Sequence, residues 1–211
     1  MKSFIVLVIF IYILYSLGSS DLAKQLNENV TNIDTTSINY ISIAEPNVEN
    51  IRVNRTFNVV CVGDVSFNNI SDTLNVIKNF LLTQGIRINL INDDEMELDE
   101  RFLITTDNGE VSNILDDQMF LSENSQRTST IFLTDKRMFD TKIRDYVRGY
   151  STGINIIVRT NNGFFQETFI HELGHLLGLN HCDDLSCIMA TNNDDYDSGN
   201  FCKKCKRDLF N

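Results

Sequence analysis

Basic residues are in short supply in this chain: 18 lysines and arginines face 29 aspartates and glutamates, for a formal net charge of −11. A partner built on a phosphate backbone is gripped by a basic stripe, so nucleic acid is excluded as a partner. There is no internal repeat and no long low-complexity tract, which excludes a solenoid or array. The one long apolar run, Phe4 to Leu17, is broken only by Tyr and Ser. It is shorter than the roughly 20 residues of a membrane-spanning helix. Lys2 precedes it and Gly18-Ser19-Ser20 follow it, the layout of a cleavable secretory signal. Proline occurs once, at Pro46, and histidine three times.

All three histidines lie in one stretch, His171-Glu-Leu-Gly-His175-Leu-Leu-Gly178-Leu-Asn-His181. On an α-helix, positions i and i+4 stand on the same face, so His171 and His175 can present two imidazole nitrogens to one metal ion. Glu172 projects beside that pair and can reach a water there without ligating the metal. A straight helix cannot bring a residue at i+10 back to the same point. Gly178 supplies the helix-ending turn, since glycine tolerates the left-handed backbone of a helix stop, and His181 then folds back as third ligand. Three protein ligands with an open fourth position describe a catalytic zinc rather than a structural one. A bare HExxH is a weak signal, whereas the added glycine and third histidine make this one specific.

The extended motif and a following methionine resemble the metzincin group of zinc peptidases. Directly after His181 come Cys182, Cys187, Ile188 and Met189, then Cys202-Lys-Lys-Cys205. That series is similar to the archaemetzincins, with a gap between Met189 and Cys202 shorter than usual in that family. The resemblance covers about the last forty residues. It implies a catalytic zinc on His171, His175 and His181, with Glu172 as general base. It also implies a structural zinc on Cys182, Cys187, Cys202 and Cys205, and Met189 as the turn residue beneath the catalytic metal. The implied function is a zinc-dependent metallopeptidase with two Zn²⁺ per chain, a peptide or protein substrate and a monomeric state. The alternative is a secreted zinc-binding pseudoenzyme or peptide-binding module.

The four C-terminal cysteines suit a tetrahedral Cys₄ zinc, yet an oxidising compartment would also allow two disulfides. Lys203, Lys204, Lys206 and Arg207 surround the CxxC pair. They read either as cations favouring thiolates or as a solvated helix face. Cys61, within Val59-Val60-Cys61-Val62, reads as a buried structural thiol. The acidic runs Asp93-Asp94-Glu95 and Asp194-Asp195 fit no EF-hand loop and read as solvated turns. Sequons begin at Asn29, Asn54 and Asn69 and matter only in a eukaryotic secretory pathway.

A length of 211 residues suits one compact domain better than two. The expected division is a signal peptide over 1–20, an N-terminal segment of uncertain order over 21–55, and a metallopeptidase domain over 56–211. Secretion, or the lumen of the secretory pathway, follows from the signal, with an uncleaved membrane anchor as the alternative. After cleavage no membrane span is expected. Within the domain, Phe57 to Val62, Ile86 to Ile91, Thr130 to Thr134 and Ile154 to Val158 read as strands. Arg101 to Thr105 and Val111 to Leu121 are ambiguous between strand and short helix. A helix capped by Ser71 carries the stripe Leu74, Ile77, Leu81 and stops at Gly85. Phe164 to Gly178 reads as the metal-binding helix, and a short terminal helix starts at Lys203. A weak strand over Tyr146 to Tyr150 is a candidate edge for an extended peptide. The fold class expected is α/β (α+β): a metzincin-like twisted mixed sheet, an active-site helix packed against it, and a small Cys-rich C-terminal subdomain.

Overall fold

Successive residues of a strand face opposite sides of the sheet, and in the central strands of this protein both sides lead into a core. The computed structural model describes residues 51–105, 111–124, 129–191 and 199–211. The apolar run Phe4 to Leu17, residues 21–50 with the sequon at Asn29, and Asp194-Asp195 lie outside the described residues. In chain order the elements are β1 (Val53–Val62), α1 (Phe67–Thr83), β2 (Ile86–Met96), a 3₁₀ turn (Glu100–Phe102), β3 (Leu103–Thr105), β4 (Val111–Asp116), α2 (Asp117–Glu123), β5 (Thr130–Thr134), β6 (Arg137–Asp140), β7 (Asp145–Val147), β8 (Gly149–Ser151), β9 (Ile156–Arg159), α3 (Phe165–Leu176) and α4 (Lys203–Phe210).

The main sheet has five strands in the order β2-β1-β5-β9-β8, parallel except for the antiparallel edge strand β8. Phe57, Val59 and Cys61 of β1, Ile131 and Leu133 of β5, and Ile156 and Val158 of β9 enter one core with residues of α1 and α3. The alternate residues Val60, Val62, Phe132 and Ile157 enter a second core with Phe102, Leu115, Phe120, Leu121 and Met138. Burial on both faces is why these strands read as continuous apolar runs instead of alternating ones.

The segments between β2 and β5 and between β5 and β8 supply the rest of the second core. The expected twisted mixed sheet is the five-stranded one against which α3 packs, and a second sheet accompanies it. The second has four strands in the order β3-β4-β6-β7. At its heart Phe120 packs edge-to-face on Phe102 and Phe132, with ring centroids 5.3 and 5.1 Å away, the geometry that aromatic quadrupoles favour.

Three local expectations are corrected and one ambiguity is resolved. Helix α1 starts a turn before Ser71, with Ser66 at its N-cap, because Phe67 and Ile70 also pack on the core. The Ser71 hydroxyl donates within the helix to the Asn68 carbonyl at 3.0 Å. Asp93-Asp94-Glu95 lies inside β2, not in a turn. As β2 is an edge strand, Asp93 and Glu95 stay exposed there. Tyr146 to Tyr150 is two strands, because β7 pairs with β6 in the second sheet and β8 with β9 in the first. The ambiguous Val111 to Leu121 is a strand followed by a helix, the change falling at Asp116, whose carboxylate accepts from the Met119 amide at 2.9 Å as an N-cap. No helix among the described residues is long and apolar enough to cross a membrane.

Phe120 is fully buried, so Phe120→Ala should cost about 3–5 kcal/mol, as deletion of a core aromatic does. The check is the midpoint of urea unfolding at unchanged slope. A cost under about 1 kcal/mol would mean that the second core is not close-packed around this ring.

Candidate metal centre

Helix α3 packs against β8 and β9 and buries Phe165, Phe169, Ile170 and Leu173 along with His171 and Glu172. It ends in a Schellman motif. Gly178, at φ +91°, donates its amide to the His175 carbonyl at 3.0 Å, and Leu179 donates to the Gly174 carbonyl at 2.9 Å. Leu179 is buried in the core beyond the turn, which pins the chain as it reverses toward His181.

The three imidazoles converge. Ring centroids lie 4.9 Å apart for His171 and His175, 4.7 Å for His175 and His181, and 5.3 Å for His171 and His181. One nitrogen from each ring falls within 4.8 Å of the others, a cluster able to hold a metal ion. The ring orientations are set from behind. His171 Nδ1–H donates to the Ile188 carbonyl at 2.7 Å, and His175 Nδ1–H to the Leu179 carbonyl at 2.8 Å. Those bonds select the tautomer whose Nε2 carries a lone pair for a metal. Burial, followed by the neighbouring His175 and His181, pushes the His171 pKa down to about 4, against the Ile188 hydrogen bond. Burial and His175 also lower His181. Both are therefore neutral, the ligating form, near neutral pH. Met189 is fully buried and packs on Gly174, where any side chain would overlap its Sδ.

The second constellation is Cys182, Cys187, Cys202 and Cys205, whose sulfurs lie within 4.8 Å of one another. None of the four is joined in a disulfide in the structure, nor is Cys61. The Cys182–Cys202 and Cys187–Cys205 sulfur pairs are 3.7 and 3.6 Å apart. Thiolates about 2.3 Å from a tetrahedral zinc stand roughly 3.8 Å from each other, so this donor set fits a Cys₄ ion. The Cys182 amide donates to the Met189 carbonyl at 2.8 Å, and the Ala190 amide to the Cys187 carbonyl at 2.9 Å. Lys203, Lys204 and Arg207 are exposed on α4, while Cys205 on the same helix is buried. Cys61 is buried in the main core, where desolvation and then Glu95 push its thiol up to about 11.

A cavity of about 660 Å³ opens beside the histidines, with Glu172, His175 and His181 contributed from α3 and the chain after it, and Asp140, Gly149 and Tyr150 from β6 and β8. Glu172 is 7% exposed. Desolvation and then the charge of Asp117 push its carboxyl up to about 8. Asp117, Asp140, Gly149 and Tyr150 were not singled out from the sequence. Only Gly149 had a signal, since a glycine inside a strand often marks a close backbone approach. Asp117 is fully buried at the first turn of α2, where its carboxyl meets the amides of Gln118 and of Asp117 itself without the alignment of full hydrogen bonds. Burial, then Asp140, pushes it up to about 7. Asp140 accepts from the Lys142 and Ile143 amides at 2.8 and 3.1 Å and from the Gln118 side chain. Burial raises the Tyr150 phenol, with Asp140, Asp117 and Glu172 adding to the effect.

An acid whose folded pKa is about 7 against an ordinary 3.8 favours folding at low pH and loses that contribution as pH rises toward the folded value. Asp117→Asn removes this loss. The melting temperature of the variant should exceed that of the wild type by a margin that grows from about pH 4 to about pH 7 and then levels off. A margin independent of pH, or one of opposite sign, would show that Asp117 is not an uncompensated carboxyl.

Residues 162–211 match the model of Peptidase family M54. Archaemetzincin of Methanocaldococcus jannaschii is 43% identical over 44 residues, which are 19% of this chain and 25% of the relative. Archaemetzincin of Methanopyrus kandleri is 46% identical over 39 residues, 17% of this chain and 22% of the relative. These matches span about a quarter of the length of the curated relatives. The fold likeness reaches further. The crystal structure of the Methanopyrus kandleri archaemetzincin superposes with a TM-score of 0.54 at 18% identity, over 73% of this chain and 93% of the other. That of the Archaeoglobus fulgidus archaemetzincin, complexed with malonate, gives 0.53 at 16% identity, over 72% and 98%. Residues 162–211 are thus similar in sequence to Peptidase family M54, and the fold of the described residues is similar to that of the archaemetzincin crystal structures.

Proposed function

We propose that this protein is a zinc-dependent metallopeptidase in which His171, His175 and His181 hold the catalytic zinc and Glu172 is the general base. The observation that carries the reading is the convergence of three imidazoles beside the buried carboxyl of Glu172 at the wall of a cavity. Zinc bound there would supply a Lewis acid that polarises a peptide carbonyl and lowers the pKa of water. The remaining work falls to the chain. Burial and Asp117 give Glu172 a high proton affinity for a carboxylate, and a cation at the imidazoles acts in the opposite sense to keep it ionised. Glu172 takes a proton from the attacking water and returns it to the nitrogen of the departing amine, so that it leaves the cycle unchanged. The cavity gives the peptide room beside Glu172 and His181.

Glu172→Gln preserves shape and removes the base. It should keep its zinc, by elemental analysis, while hydrolysis of a mixed peptide library falls by about 10²–10⁴-fold; a chelator should abolish wild-type turnover. Undiminished turnover in the variant would refute the assigned role, and a zinc-loaded wild type without activity would favour a pseudoenzyme.

The proposal extends to a second, structural zinc on Cys182, Cys187, Cys202 and Cys205, and so to two ions per chain. The fit of the sulfur spacings supports zinc over disulfides. This ion would brace the catalytic one, because His181 adjoins Cys182, and Ile188, which orients the His171 ring, adjoins Cys187. Cys187→Ser should therefore weaken metal binding at the histidines by about 10–100-fold, the usual effect of disturbing an orienting shell, measured by competition with a chromogenic chelator. Unchanged affinity there, with the cysteine-bound zinc lost, would argue that the two sites are independent. Action in a secretory compartment rests on the Phe4 to Leu17 run alone.

A further inference from the structure

Strand β8 lies against α3 with no room for a side chain at Gly149. A Cβ built there would stand 2.6 Å from Glu172 Cγ, 2.9 Å from Glu172 Oε1 and 2.9 Å from Thr168 Cγ2. Thr168 and Glu172 are one turn apart on the same face of α3, so the strand backbone crosses directly over the side chain of the carboxylate. Glycine is not required here by backbone conformation. Gly149 is absent from the positive-φ glycines and pairs in an ordinary antiparallel ladder with Val158 of β9. That ladder also prevents the strand from backing away, because drifting outward would break its pairing with β9.

We propose that Gly149 is a positioning residue for Glu172: the bare backbone of β8 forms one wall of the slot that holds the carboxylate against the metal centre. Glutamate has three side-chain torsions to restrict, and a slot bounded by backbone on one side and Thr168 on the other limits its swing. Asp117, which bears on Glu172 through its charge, leaves this role to sterics. The inference rests on the general-base reading of Glu172, and its test has a readout that does not.

The experiment compares Gly149→Ala in the wild-type and Glu172→Ala backgrounds, with Gly163→Ala as a control, since a Cβ at Gly163 meets nothing within 4 Å. In the wild-type background Gly149→Ala should lower kcat about a hundredfold, as a displacement near 1 Å does, with KM and zinc content little changed. It should cause no further loss of turnover on top of Glu172→Ala. The melting temperature should fall more in the wild-type background than in the Glu172→Ala background, where the added methyl group gains space. Should Gly149→Ala alone fail to fold, folding of the Gly149→Ala/Glu172→Ala pair supports the contact, and failure of both overturns it. Turnover kept within a factor of about two, or equal melting losses in the two backgrounds, also overturns the proposal. A zinc-loaded wild type that hydrolyses no peptide overturns the peptidase reading, while the melting comparison still decides whether Gly149 and Glu172 compete for one space.

Discussion

A buried imidazole must find a partner for its N–H, and the way His171 does so organises the metal centre. Its Nδ1–H reaches the Ile188 carbonyl, on a loop separated from α3 by the whole turn through His181. That loop is closed by the bonds between Cys182 and Met189 and between Cys187 and Ala190, and it is tied outward by the Ile188 amide on the Asn200 carbonyl at 2.8 Å. Leaving the ring unsatisfied would cost about 1–3 kcal/mol. The single bond therefore sets the tautomer of a metal ligand and the position of the loop that carries Cys187 and Met189. The two candidate metal clusters thus share one stretch of backbone.

The other organising feature is a sheet buried on both faces. The main strands divide their side chains between two cores, which leaves β8 as a three-residue edge where α3 and the second sheet come close. Asp117 and Asp140 arrive from the second-sheet side, and Glu172 arrives from α3. In this desolvated region Asp140 adds to the proton affinity that burial gives Asp117, and Asp117 adds to that of Glu172. Such a cluster does not stabilise a fold, and buried groups of this kind gather at functional sites. A cation at the histidines offsets the charge on Glu172, the member beside them.

Much of this was legible before any coordinates. The His171–His181 motif is local: an i, i+4 pair, a glycine stop and a short return involve no partner outside one helix end, so chain geometry alone predicts their convergence. The stripe Leu74, Ile77, Leu81 and the strand Thr130–Thr134 declared themselves by spacing and by apolar content. Boundaries were less legible. Ser71 and Ser66 are equivalent as caps by local chemistry, and only the packing of Phe67 and Ile70 on the core decides between them. Nothing in Tyr146 to Tyr150 reveals that its two halves pair with different sheets.

Residue types and spacing along the chain determined which side chains can ligate a metal, where the ligand-bearing helix ends, and which strands are apolar throughout, because each of these follows from interactions within a few residues. Tertiary structure alone decided that a second sheet covers the far face of the first, that Asp117 lies buried within electrostatic reach of Glu172, and that Gly149 must lack a side chain. The reason is that each of these joins segments that lie in different elements of the chain, and no local pattern encodes the distance of closest approach between two backbones.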